Sequence, residues 1–127
     1  MKKIFTVAVL LAFFFYAHTA EAQNSSALFR HTVIITFKQG AAADSIQALD
    51  KIYSTLSKNP MVKNFEWGVN ISPRDSGVVK HIYVTTFASR QDLNLYRKIP
   101  LYASLFPLSL AIADDVSVID YWAEKQP

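Results

Sequence analysis

Four stretches of the chain alternate side chains at period two, and the segments between them carry apolar residues every three or four positions. That order constrains the fold more than any other feature. In the first stretch His31, Val33, Ile35 and Phe37 share one face, and Thr32, Ile34 and Thr36 share the other. Period two is the mark of a strand. The second face is β-branched throughout, which suits a pleated surface that something covers.

After Gly40, the residues Ile46, Leu49, Ile52, Tyr53 and Leu56 form the apolar stripe of an amphipathic helix, with Asp44, Gln47, Asp50 and Lys51 turned away as a solvated face. Pro60 disfavours helical geometry at Asn59 and ends it. A second strand runs from about Val62 to Ile71, with Phe65, Trp67, Val69 and Ile71 in phase and Gly68 marking a bulge or close approach. Residues Ser72 to Gly77 form a turn. The third strand, about Val79 to Phe87, sets His81, Tyr83, Thr85 and Phe87 against Ile82, Val84 and Thr86. Ser89 then caps a second helix, with Asp92 in the place of the usual capping-box Glu. Pro100 stops that helix and opens a short third one through Leu105 and Phe106. Asp114 and Asp115 read as a turn before a last strand, Val116 to Trp122.

The order β-α-β-β-α-β is that of a ferredoxin-like α+β domain, a four-stranded antiparallel sheet with its helices on one face. The other face would carry Ile34, Ile82 and Val84 among threonines, too apolar for a monomer's exterior. A homodimer packed sheet against sheet is the expected solution.

Residues 1–22 carry a second message. Lys2 and Lys3 precede an apolar run from Ile4 to Tyr16, and Ala20-Glu21-Ala22 closes the segment. These are the three parts of a secretory signal peptide, and the run is too short for a spanning helix of roughly 20 residues. The expected organisation is a signal peptide over 1–22, a tether over 23–28, one domain over 29–123 and a tail over 124–127. The product would be exported, periplasmic or secreted, without a stable membrane anchor after cleavage. The chain has no cysteine, so packing alone must stabilise it. Without Lys2, Lys3 and Glu21 the formal charge falls from +3 to +2, and the basic residues are dispersed among carboxylates. A nucleic-acid partner needs a concentrated basic stripe. The doublet Arg97-Lys98 reads as the cationic end of a helix. No cofactor is expected: the sequence has no Gly-rich phosphate loop and no Gly-x-Ser-x-Gly elbow, and two strand histidines without a third ligand do not make a metal site.

Four local features resemble those of the stress-responsive α/β-barrel (Dabb) family: Arg30-His31-Thr32-Val33, the run from Phe65 to Ser72, Lys80-His81-Ile82-Tyr83-Val84, and Val118-Ile119-Asp120-Tyr121. The resemblance implies a dimeric α/β barrel. It also implies a ligand cavity between sheet and helices, because His31 and His81 match cavity-facing histidines of a plant polyketide cyclase in that family. The family favours a segment of Tyr, two residues, His, Pro, one residue, His; here it reads Tyr96-Arg97-Lys98-Ile99-Pro100-Leu101-Tyr102, with both histidines absent. In the cyclase the last of those histidines is the acid/base. A tyrosine there stands about 3.5 pKa units above a histidine, roughly 5 kcal/mol against the basic form at neutral pH. Tyr102 therefore reads either as a hydrogen-bond donor to a ligand oxygen or as an amphipathic core residue whose hydroxyl reaches a partner. The expectation is a small apolar or aromatic ligand with His31, His81, Tyr96 and Tyr102 as its polar contacts. The enzymatic alternative is a cofactor-independent cyclase, lyase, isomerase or monooxygenase with His31 or His81 as base. A third reading is a structural module whose core is filled.

Overall fold

The computed structural model describes residues 27–127. The signal peptide expected over 1–22, and most of the tether, lie outside the described residues. The elements follow the expected order: β1 (Phe29–Phe37), α1 (Ala43–Leu56), β2 (Val62–Val69), a 3-10 turn (Pro73–Asp75), β3 (Lys80–Phe87), α2 (Arg90–Tyr96), α3 (Pro100–Ala103), α4 (Leu105–Ile112) and β4 (Ala113–Trp122). The strands form one antiparallel sheet in the order β2-β3-β1-β4. This is the ferredoxin-like arrangement.

Burial follows the sequence pattern most closely in β1, where every second residue from Phe29 to Phe37 is buried. These side chains meet Tyr83 and Phe87 of β3, Leu49, Tyr53 and Leu56 of α1, Leu93 and Tyr96 of α2, and Leu105 and Ile112 of α4. Each apolar side chain so buried contributes on the order of 2 kcal/mol against conformational entropy. The opposite face aligns Thr32, Val84 and Ile119 across three strands, with Ile34 beside Ile82. Ile119 and Tyr121 on this face remain about half exposed, at 50% and 44%.

Local chemistry explains the helix ends. The Ser89 hydroxyl accepts the Asp92 backbone N–H at 3.1 Å, as the capping motif requires. Pro100 stands at the first position of α3.

Several sequence expectations are corrected. The third helix is two segments, α3 and α4, and α4 tolerates Pro107 because its first-turn N–H groups have no intrahelical partner to lose. β2 stops at Val69, since Asn70 folds back to hold the turn: its side chain donates to Asp75 Oδ2 at 2.6 Å, leaving Ile71 exposed. Gly68 pairs regularly with Ile82, and the irregularity in β2 falls between Val62 and Asn64. The tight turn comes at Gly77, whose φ of 80° suits glycine. Asp114 and Asp115 belong to β4 and do not form a turn. Phe37 pairs with Ala113 and Thr36 with Asp115, so Asp114 is the extra residue of a bulge.

Candidate ligand cavity

A cavity of about 460 Å³ lies between the β1–β4 side of the sheet and the helices α3 and α4. Its sheet wall is made by His31 and Val33 of β1 with Val116 and Val118 of β4. Tyr102, Leu105, Phe106 and Leu110 form the helical side, and Tyr53 enters from α1. Arg97, Ser109, Asp114 and Asp115 complete the polar lining. The cavity is an open cleft, with Phe106 and Leu110 exposed at its rim, and a largely apolar cleft with a few fixed polar groups is the usual make-up of a small-molecule site.

His31 is buried and lies directly across from Asp120 of β4, its Nδ1 2.5 Å from Asp120 Oδ1. Donation from Nδ1 places the lone pair of the neutral ring on Nε2. The other Asp120 oxygen stands 3.9 Å from Arg97 Nη2, too far for a hydrogen bond but close enough for attraction. Burial lowers the His31 pKa from its ordinary 6.5, and the Asp120 carboxylate opposes that shift without cancelling it. His31 is thus held neutral at pH 7, in the form that accepts a proton.

The sign of this shift gives a pH prediction. A histidine with a depressed folded pKa binds fewer protons in the fold than in the unfolded chain, so stability declines as pH falls below about 6.5. Urea midpoints between pH 7.5 and 5 should drop in the parent chain and drop less in His31→Gln. Equal slopes would rule His31 out as the cause. Asp75, held below its ordinary 3.8 chiefly by hydrogen bonds from Lys80 and Asn70, loses its contribution only in a more acidic window.

Three tyrosines surround the helical side. Tyr102 borders the cavity, and Tyr96 lies buried behind it, edge-on at 5.5 Å between ring centroids. Burial pushes the Tyr96 phenol up to about 12, and its hydroxyl has no hydrogen-bond partner among the described residues. Thr85 is close enough to temper that rise without meeting hydrogen-bond geometry. Tyr53 is raised further, first by burial and then by its nearness to Tyr102 and Tyr96, and is a neutral donor at any physiological pH.

His81 shares the helix-covered face with His31 but does not border the cavity. It pairs with Ile35, four residues along β1 from His31, roughly 13 Å at strand spacing. Its Nδ1 donates to Asp50 Oδ1 at 2.7 Å, and the Tyr83 hydroxyl donates to the same oxygen at 2.5 Å. Asp50 was expected on the solvated face of α1; its side chain is only 16% exposed. It stands four residues after Ile46 and three before Tyr53, at the edge of the apolar stripe, which was the signal for a turn toward the sheet. Asp120 carried a similar signal, because it shares the phase of Val118 and Trp122 in β4. Arg97, read only as a helix end, does cap α2, and it also lines the cavity.

Residues 29–123 match the family described as Stress responsive A/B Barrel Domain, Dabb. The chain belongs to the Dabb family. This Dabb chain is 32% identical over 96 residues to the stress-response A/B barrel domain-containing protein HS1 of Arabidopsis thaliana, covering 72% of the chain and 86% of that relative. A crystal structure of an Arabidopsis thaliana protein superposes with a TM-score of 0.65 at 28% identity, over 78% of the Dabb chain and 98% of its own. The hydroxynitrile lyase of Passiflora edulis shares the fold at a TM-score of 0.67 and 20% identity, with 78% and 95% of the two chains covered.

Proposed function

We propose that this Dabb chain is an exported homodimer that binds a small apolar or aromatic molecule bearing a carbonyl or hydroxyl oxygen. One observation carries the reading: an apolar cavity of about 460 Å³ whose wall holds a neutral His31, fixed by Asp120, opposite the phenols of Tyr53 and Tyr102. His31 Nε2 would accept a proton from the ligand, and the phenols would donate to its oxygen. The half-exposed apolar sheet face supports the dimer, and the three-part pattern of residues 1–22 supports export.

Native mass spectrometry of residues 23–127, purified after export, provides the test. The expected species has twice the protomer mass and releases a defined small molecule on denaturation. Acetophenone, an aryl ketone of suitable size, should bind the emptied protein and bind more weakly to Leu105→Trp, whose larger side chain narrows the cavity. A protein that neither carries a ligand nor binds acetophenone would refute the reading.

A catalytic reading draws on the His31–Asp120 pair itself. A carboxylate that orients a neutral imidazole is the usual support for a general base. The lyase neighbour shares the fold at 20% identity and supports only the suitability of the scaffold. Proton exchange from the methyl group of bound acetophenone, followed in deuterated buffer, should be faster than in buffer alone and should vanish in His31→Gln if His31 is the base.

A further inference from the structure

The Asp50 cluster lies outside the cavity, yet it is built into the same helix that supplies one of the cavity's donors. Asp50 and Tyr53 are three residues apart on α1 and share one helical face. Asp50 holds the Tyr83 hydroxyl at 2.5 Å, and the Tyr53 ring stacks on the Tyr83 ring with centroids 3.9 Å apart and planes inclined by 14°. Trp67 stacks on Tyr83 at 6.2 Å, with a 16° inclination. Tyr83 is therefore fixed by one hydrogen bond at its rim and packed by two rings, one of which reaches the cavity.

We propose that Asp50 is a positioning residue: through Tyr83 it sets the Tyr53 phenol to donate a hydrogen bond to the oxygen of the bound molecule. The proposal rests on the ligand-binding reading of the cavity. His81 completes the arrangement by donating to the same Asp50 oxygen, so the carboxylate is held from two directions. A buried phenol kept fully protonated can recognise a carbonyl or phenolate oxygen, but donation needs the O–H to lie within a narrow angle. Stacking on a pinned ring restricts the plane of Tyr53 and removes rotamer freedom that binding would otherwise have to remove. A burial role alone would be met by phenylalanine at position 83 and an apolar residue at position 50.

The test uses acetophenone labelled with carbon-13 at the carbonyl, whose infrared stretch falls when a donor engages the oxygen. With the parent protein the bound band should lie below that of the free ketone in an apolar solvent. Tyr53→Phe should remove most of that displacement and weaken binding roughly threefold to tenfold. Asp50→Asn should reduce both effects, and the double variant should match Tyr53→Phe alone, because Asp50 acts only through Tyr53. Thermal midpoints without ligand separate this from stability. If Asp50→Asn does not fold, Tyr83→Phe, which keeps the stack and deletes the hydroxyl, should reproduce the partial loss. Additive losses in the double variant, or an unchanged band in Tyr53→Phe, would overturn the proposal while leaving the cavity intact. No binding by the parent protein would overturn the cavity reading and this one together.

Discussion

Replacing Asp50 by alanine should destabilise the protein by about 3 kcal/mol, while replacing Asp44, six residues earlier on the same helix, should leave the urea midpoint nearly unchanged. Asp44 is exposed in the first turn of α1, where water replaces whatever it loses. Asp50 accepts from two buried groups, the Nδ1–H of His81 and the hydroxyl of Tyr83. Alanine removes the acceptor both share and leaves them only the long 3.5 Å contact between the Tyr83 hydroxyl and His81 Nδ1, and an orphaned buried polar group costs about 1–3 kcal/mol. The Tyr83 hydroxyl has no easy escape, because the rings of Tyr53 and Trp67 both stack on its ring. Comparable midpoints for the two variants would mean that water reaches the cluster and that Asp50 is a surface residue after all.

The second large effect concerns association. Ile34→Asp should convert the proposed dimer to a folded monomer, because Ile34 lies on β1 at the centre of the sheet and faces away from the core. Its neighbours across the sheet are Ile82 and Ser117, and the same face carries Val84 and Ile119. Two-fold symmetry would bury the new carboxylate twice, so the dissociation constant should rise on the order of a thousandfold or more. Light scattering behind size-exclusion chromatography reads the mass directly, and circular dichroism checks that the protomer still folds. A variant that remains dimeric would show that the copies meet through some other surface.

The contrast between Asp44 and Asp50 also marks the limit of what was legible in the sequence. Strand phase in β1 and β3, the Ser89 cap and the helix start at Pro100 depend on neighbours a few residues away, and all were readable. Tyr96 and Tyr102 were singled out by the resemblance to the family's Tyr-to-His segment, whereas His31 and His81 were placed on the helix-covered face of the sheet by strand period. Their partners were not readable, because His31 meets a residue 89 positions later and His81 one 31 positions earlier, and the register that joins them is fixed only when strands and helices pack. The bulge at Asp114 belongs to the same class: one extra residue in β4 keeps Ala113 opposite Phe37, and the cost appears only in the paired ladder. Strand phase put both histidines on one face and the family resemblance put both on one ligand, whereas the four-residue separation along β1 gives the cavity to His31 and the contact with Asp50 of α1 to His81.

The placement of β4 also has a consequence for truncation. The carboxylate that orients His31, and the wall residues Val116 and Val118, all come from the final strand. A chain cut after Ile112 keeps every residue of the Asp50 cluster, but β1 has an unpaired edge and His31 has no acid opposite it. The candidate cavity and the pairing of the second edge of β1 are both finished by the same ten residues, Ala113–Trp122, so a protomer stopped short of them has no assembled cavity to display.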